Sequence, residues 1–323
     1  MNRMEKKFVI LCDGSCDLTR ELREKYDIEY MAGVFSYPDG FEEVGFLDWA
    51  DCQHIPNCTS EIFYEQLKKN PTGFKTAPVS PQACYREIEK YVKQGYGVMT
   101  LSLSQALSGA YSFVLMAKQN IEKNYPDAEV YCIDSRRYAC AIGLLAIHAS
   151  MLRSEGKSLK ETVDYIEANK IRFHQAGWVD DLSYLAKQGR LTNSKAFFGS
   201  LIGLKPIGEL DSNGLTTIIA KVKGEKLAFK VLLSYMELVG EDLGNQVIVI
   251  SQSNRRKQAE IYKRMIEERF HPEAVYISDV FPLTGVNVGP GLMAAYFMGK
   301  PITEGLVAET EAINKAIELN SKA

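Results

Sequence analysis

The chain has 323 residues, a formal net charge of -3 at pH 7, 46% hydrophobic residues and 24% charged residues. That length suits two domains of ordinary size, and the faintly acidic balance leaves no electrostatic footprint for DNA or RNA. No apolar run approaches the ~18 residues that would span a bilayer, and the basic, briefly apolar start is interrupted by Asp13 too early to read as a signal peptide.

In chain order, 8–12 (FVILC) reads as a buried strand, followed by the polar loop Asp13-Gly14-Ser15-Cys16-Asp17-Leu18 and a charged helical stretch, 19–26, for which Ser15 or Asp17 can serve as cap. Asp13 stands where open α/β sheets gather ligand contacts, at the end of a strand, although a loop-bracing role fits it equally. A second strand is predicted over 28–37, before the turn Pro38-Asp39-Gly40, and helices over 48–55 and 60–69, the latter started by Ser60 and Glu61. The segment 74–81 is a loop holding two prolines. Within it Thr76 lies in extended chain, and Ser80 with Pro81 caps a helix over 82–94.

The run 97–101 is a further buried strand. It leads through Leu103-Ser104-Gln105-Ala106-Leu107-Ser108-Gly109 into a helix that continues over 112–119. A strand turning into a helix through small and polar residues leaves backbone N–H groups at a helix N-terminus, where carboxylates and phosphates are attracted. Ser104 and Ser108 either add donors to such an anion pocket or serve only as N-caps. Strand 128–133 ends at Asp134-Ser135, and 139–154 is a long apolar helix closed by Gly156. Four strand–helix alternations imply a parallel sheet covered by helices, with the loops bearing Asp13, Thr76, Ser104, Ser108 and Asp134 at one edge.

The second half reads as helix 158–170, strand 173–179, short helix 181–188 ending at Gly189-Arg190, an apolar stretch 196–204, and a hairpin over 208–222 turning at Asp211-Ser212-Asn213-Gly214. Helix 226–239, strand 246–251, helix 255–270 and strand 275–279 follow; last come 284–291 (TGVNVGPG) and a helix-like run, 292–298. The seven cysteines (Cys12, Cys16, Cys52, Cys58, Cys84, Cys132, Cys140) are odd in number and scattered, which points to reduced thiols in a cytoplasmic protein. The histidines His54, His148, His174 and His271 are isolated and show no zinc-type spacing, so no metal is expected.

Several separated motifs together resemble the DegV family of bacterial fatty-acid-binding proteins. The family's D-S-T-x-D-L stands here as residues 13–18 and its T-S-Q-P-S-P as Thr76-Ala77-Pro78-Val79-Ser80-Pro81. Its S-S-x-L-S-G-T-Y stands as residues 104–111, and its D-S as Asp134-Ser135. Its L-x-Y-L-x-x-G-R ends at Arg190, its K-P is Lys205-Pro206, and its H-x-G-P-G is Asn287-Val288-Gly289-Pro290-Gly291. The order and spacing of these motifs over about 8–300 carry the likeness, since each alone is common.

The resemblance implies a two-domain α/β fold, a parallel-sheet N-terminal domain over 1–168 with the anion-binding loops and a C-terminal domain with a mixed sheet over 169–323. It implies no catalytic step and no cofactor. One long-chain fatty acid would lie between the domains, its carboxylate presented to a partner acyl kinase for conversion to an acyl phosphate used in phospholipid synthesis. Carried over by residue, Thr76 and Ser108 would bond the carboxylate, with the Gly109 N–H near, Ser104 in the same turn and Arg190 at the domain interface. Asn287 takes the place of the family's histidine and removes a titratable group; Ala77, Ala110 and Gly14 remove hydroxyls. Another anionic lipid or a phosphate ester would suit the same helix N-termini. A serine hydrolase or transferase would need a base that none of these motifs supplies, and no G-x-S-x-G elbow is present.

Overall fold

The structure, a computed structural model, describes residues 8–191 and 203–321; of the apolar stretch 196–204, the part up to 202 lies outside them. The first half runs β1 (Phe8–Asp13), α1 (Arg20–Lys25), β2 (Ile28–Met31), β3 (Val34–Ser36), β4 (Glu42–Val44), α2 (Ser60–Lys69), β5 (Lys75–Ala77), α3 (Pro81–Val92), β6 (Gly97–Ser102), α4 (Ala110–Asn124), β7 (Val130–Asp134), α5 (Cys140–Ser154) and α6 (Leu159–Asn169). Strands β2-β1-β6-β7 form an all-parallel sheet in that order, so the loops after β1, β6 and β7 meet at one edge. Ser80 caps α3 with Pro81 in its first turn, whereas Thr19 rather than Ser15 or Asp17 caps α1, and Thr59 rather than Ser60 caps α2.

Three expectations for this half are corrected. The strand over 28–37 is two strands, β2 in the parallel sheet and β3 in a small antiparallel sheet of order β4-β3-β5. The break falls at Ala32-Gly33, where a Cβ on Gly33 would sit 2.0 Å from the Ala77 carbonyl oxygen, so only glycine lets the 76–79 chain cross there. Thr76 therefore stands on strand β5 opposite Phe35, not in a loop. The stretch 48–55 holds one short 3-10 turn, Trp49–Asp51, in place of a helix.

The second half runs β8 (Phe173–Val179), α7 (Ser183–Lys187), β9 (Leu204–Leu210), β10 (Thr216–Lys223), α8 (Glu225–Val239), β11 (Val247–Gln252), α9 (Arg256–Phe270), β12 (Ala274–Asp279), α10 (Pro282–Val288), β13 (Leu292–Met298) and α11 (Val307–Ser321). Its mixed sheet has the order β10-β9-β8-β13-β11-β12. The helix expected over 292–298 is instead β13, a central strand antiparallel to both β8 and β11. LMAAYFM is apolar throughout because both its faces are covered, and such a run carries neither period.

Helix α5 explains how the halves join. Residues 140–147 are all buried, and the helix packs against β1 on one side and against β8, β11 and β13 on the other. A helix that is apolar all round is one with protein on every side. Polar ties fasten the same joint. Asp17 Oδ1 accepts from Phe281 N at 2.9 Å, the Thr284 hydroxyl donates to Ser15 O at 3.3 Å, and Tyr64 donates to Val280 O at 2.7 Å. The hairpin tip docks across the interface as well. Gly214, at φ +85°, leaves no room for a Cβ, which would fall 2.2 Å from Ser104 Oγ, and Arg136 Nη1 donates to Ser212 O at 3.1 Å.

Candidate functional site

Between the two sheets lies a cleft with about 780 Å³ of empty space counted out to its open mouth. Thr76, Ser108, Arg190 and Asn287 line it together, although they come from β5, the β6–α4 loop, the end of α7 and α10.

Each of the two hydroxyls is held by its oxygen. Thr76 Oγ1 accepts from Asn287 Nδ2 at 3.2 Å, and the same amide nitrogen donates to Leu283 O at 2.9 Å, one turn back along α10. Ser108 Oγ accepts from Ala110 N at 3.2 Å, at the start of α4. A hydroxyl whose lone pair is taken by an N–H has its own hydrogen left to donate. Both side chains are half-buried. Arg190 is tethered by Nε to Leu107 O at 3.3 Å and by Nη1 to Gln188 O. It makes no ion pair with a carboxylate among the described residues. The mouth is thus a set of donors with a fixed cation and the N-terminus of a fifteen-residue helix, an arrangement that accepts an anion.

Two expected residues lie elsewhere. Ser104 is fully buried, its Oγ accepts from Ala106 N at 3.3 Å, and it is not part of the cleft wall. Gly109 is exposed and sits beside the cleft rather than on it. The turn directs Ser108 and Ala110 inward and carries these two away. Lys205, from the K-P motif, bonds Asp180 at 2.7 Å instead of facing the cleft.

The inner wall holds residues not singled out by sequence: Tyr138, Thr216 and Thr284, beside Asp13 and Ser15. Asp13 is buried; its Oδ1 takes both Ser15 N and Ser15 Oγ, at 2.9 and 2.7 Å, and Oδ2 takes Leu103 N at 3.4 Å. Burial pushes its carboxyl above the usual range, and these bonds oppose the rise. Tyr138 follows β7 by four residues, in a loop at the C-terminal edge of the parallel sheet, and that position was the available signal for it. Thr216 and Thr284 arrive from distant parts of the chain and have none.

None of the four histidines lines the cleft. No group of three or more His, Cys, Asp or Glu among the described residues could hold a metal ion, and no helix among them is long and apolar enough to cross a membrane.

Comparison with known proteins bears on the family and the fold. A family model described as an uncharacterised protein, DegV family, matches residues 7–300. A DegV domain-containing protein of Clostridium perfringens is 31% identical over 294 residues, which is 91% of this chain and 98% of that one. One from Streptococcus pyogenes serotype M1 is 30% identical over 299 residues, again 91% and 98%. Among solved structures, a DegV lipid-binding protein from Thermotoga maritima has a TM-score of 0.76 at 22% identity, covering 91% of this chain and 98% of that chain. A fatty-acid-binding DegV family protein from Thermus thermophilus has a TM-score of 0.77 at 19% identity, covering 91% and 99%. With parallel and mixed sheets in the same arrangement, and a family match over nearly its whole length, this chain belongs to the DegV family.

Proposed function

We propose that this protein binds a long-chain fatty acid in the cleft between its two sheets and presents the carboxylate to a partner acyl kinase. The observation that carries the reading is the state of the mouth. Thr76 and Ser108 each have an oxygen engaged by an N–H and a hydrogen to give, with Arg190 beside them. A carboxylate leaving water needs several such donors at once. The chain behind it is worth about 0.8 kcal/mol for each CH₂ buried, so few polar contacts suffice. Solved relatives described as binding fatty acids, including one with stearic acid from Eubacterium ventriosum and one from Bacillus subtilis, support the reading.

The binding role is preferred to hydrolysis because, among the described residues, no histidine or carboxylate is bonded to the Ser108 hydroxyl as a base. The half-buried head-group side chains beside exposed Gly109 leave the carboxylate within reach of a second protein. We place the division between the domains at 168/169, between the last strand of the parallel sheet and the first of the mixed sheet. We place the protein in the cytoplasm, where its seven free thiols fit a reducing environment.

Native mass spectrometry of protein purified under gentle conditions tests the reading. A fatty-acid adduct, or one formed on adding stearic acid to stripped protein, is the expected result. Apo protein in both experiments overturns it.

A further inference from the structure

Leu283, one wall of the cleft, is seated against two glycines from separate parts of the chain. It lies in the first turn of α10, which packs on β3, β5 and the 3-10 turn Gly14–Cys16. A Cβ built on Gly45, directly after β4, would fall 2.4 Å from Leu283 Cδ1, 2.5 Å from Cγ and 3.1 Å from Cδ2. A Cβ on Gly14 would fall 3.1 Å from the same Cδ1 and 2.9 Å from Ala32 Cβ. Both glycines are buried, and neither has the positive φ that favours glycine over other residues. What these positions require is therefore space. At Gly45 the three nearest atoms all belong to Leu283, so the space there is taken by that one side chain.

The slot matters because of where Leu283 stands. Its carbonyl accepts from Asn287 Nδ2 at 2.9 Å, and the same nitrogen donates to Thr76 Oγ1 at 3.2 Å. Leu283 is thus one helical turn from the carboxylate contacts, beside the first carbons of a chain held there. A leucine seated in a slot is drawn back from the cleft. Protein interiors are close-packed, so atoms added behind it push it forward. Gly14 and Gly45 are not on the cleft wall. Gly45 reaches a ligand only through Leu283.

We propose that Leu283, drawn back into the slot between Gly14 and Gly45, sets the width of the cleft next to the carboxylate, and that this width admits a fatty acid branched near its carboxyl group as readily as a straight one. This rests on the fatty-acid reading above and adds to it the residue that selects among acyl chains. Leu283 is the specificity-determining side chain, and Gly45 positions it.

The experiment measures dissociation constants on stripped protein for stearic acid and for two of its methyl-branched derivatives, one branched at the third carbon and one at the last carbon but one. The parent should bind all three within about threefold of one another. Gly45→Ala should weaken the acid branched at the third carbon by about tenfold relative to stearic acid, the scale of overpacking by one methyl group. The acid branched at the far end should keep its ratio to stearic acid within about twofold. Adding Leu283→Ala to Gly45→Ala removes the three atoms nearest the new Cβ, and both ratios should return to those of the parent. Leu283→Ala alone keeps the test open if Gly45→Ala fails to fold, since it should favour the acid branched at the third carbon by about threefold. Four results overturn the inference while leaving the fatty-acid site intact. They are a parent that rejects that acid, variants whose ratios do not move, a loss that falls equally on both branched acids, and a loss that survives removal of the Leu283 side chain. If none of the three acids binds the parent, the fatty-acid reading fails and this inference fails with it.

Discussion

The mouth of the cleft and the cluster around Glu209 are both polar, and they are finished differently. Glu209 is fully buried on β9, and its carboxylate accepts from Gln175 N at 3.1 Å, from its neighbour Leu210 N at 2.8 Å and from the Tyr235 hydroxyl at 2.9 Å. His174 Nδ1 lies 3.1 Å from the same carboxylate, and Nε2 lies 2.7 Å from the Lys300 carbonyl, to which it must donate. Both oxygens of Glu209 are bonded within the protein. At the mouth, by contrast, Thr76 and Ser108 are bonded on one side only. The difference separates a polar group finished within the fold from one with a hydrogen left to give, and it shows in the bonding rather than in residue type or burial.

The largest effect should come from breaking the finished cluster. Glu209→Ala leaves the Tyr235 hydroxyl and two backbone N–H groups without an acceptor in a site closed to water. The expected cost is about 3–5 kcal/mol of folding stability, read from the urea midpoint. Stearic acid affinity of the folded fraction should stay within about threefold of the parent. A midpoint that does not move would mean the cluster is hydrated or optional, and the comparison would collapse.

A second test of the interior uses pH. His148 lies on α5 against Phe173, ring centroids 4.9 Å apart, and burial alone pulls its imidazole down to about 4. In the unfolded chain it takes up a proton near pH ~6.5. Between those two values the unfolded state binds more protons, so stability present above about 6.5 is lost as pH falls toward 4, by at most about 3 kcal/mol. Asp13 and Asp17 work in the opposite direction, since burial raises both carboxyls and favours the folded state at low pH. Comparing His148→Phe with its parent cancels their contribution. The variant should lose less stability than the parent between about pH 6.5 and 4, and parallel curves would show that His148 is hydrated.

At the mouth the same logic predicts effects on binding and little on folding. Ser108→Ala and Thr76→Val each remove one donor to the carboxylate, which should weaken stearic acid binding by about 1–3 kcal/mol. Ser108→Ala should also lower stability slightly, by about 0.5–1 kcal/mol, through the lost bond to Ala110 N. Calorimetric titration with circular dichroism on one preparation reads both. Unchanged affinity with a lowered melting point would make Ser108 a helix-start residue alone.

How much of this was legible in the chain follows from where the information lies. The Asn213-Gly214 turn and the long apolar α5 were readable because a turn type and a length are local properties. β13 was not. Ala294 and Ala295 sit in an unbroken apolar run, and only its place at the centre of the mixed sheet makes it a strand. The small β4-β3-β5 sheet was unreadable as well, since its strands are three residues each and β5 joins from forty residues away. The mouth was found through motifs that survive as short words. The inner wall was missed because Tyr138, Thr216 and Thr284 become neighbours only once the hairpin and α10 have docked on the other half.

The smallest expected effect is at Asn287, and it tests whether this residue faces the carboxylate at all. Its amide holds Thr76 Oγ1 at 3.2 Å and is itself held by Leu283 O at 2.9 Å. An imidazole here can offer one N–H to Thr76 but gives up the Leu283 carbonyl. Above its usual pKa of about 6.5 it is neutral, so Asn287→His should bind stearic acid within about threefold of the parent. Below that pH the ring gains a positive charge beside Thr76 and the ligand carboxylate, and binding should tighten by about 1 kcal/mol or less, because the site is half-open to water. Asp13 lies in the same cleft with its carboxyl raised by burial, and any effect of its protonation on an anionic ligand is common to both proteins. The informative quantity is therefore the ratio of variant to parent dissociation constants, measured at about pH 8 and again at about pH 5.5. That ratio should fall roughly threefold to fivefold. Turnover by a partner acyl kinase, measured on the same preparations, should change more than affinity does, because a titratable ring can take part in the transfer and an amide cannot. A ratio that stays flat across the pH range would show that residue 287 only positions Thr76.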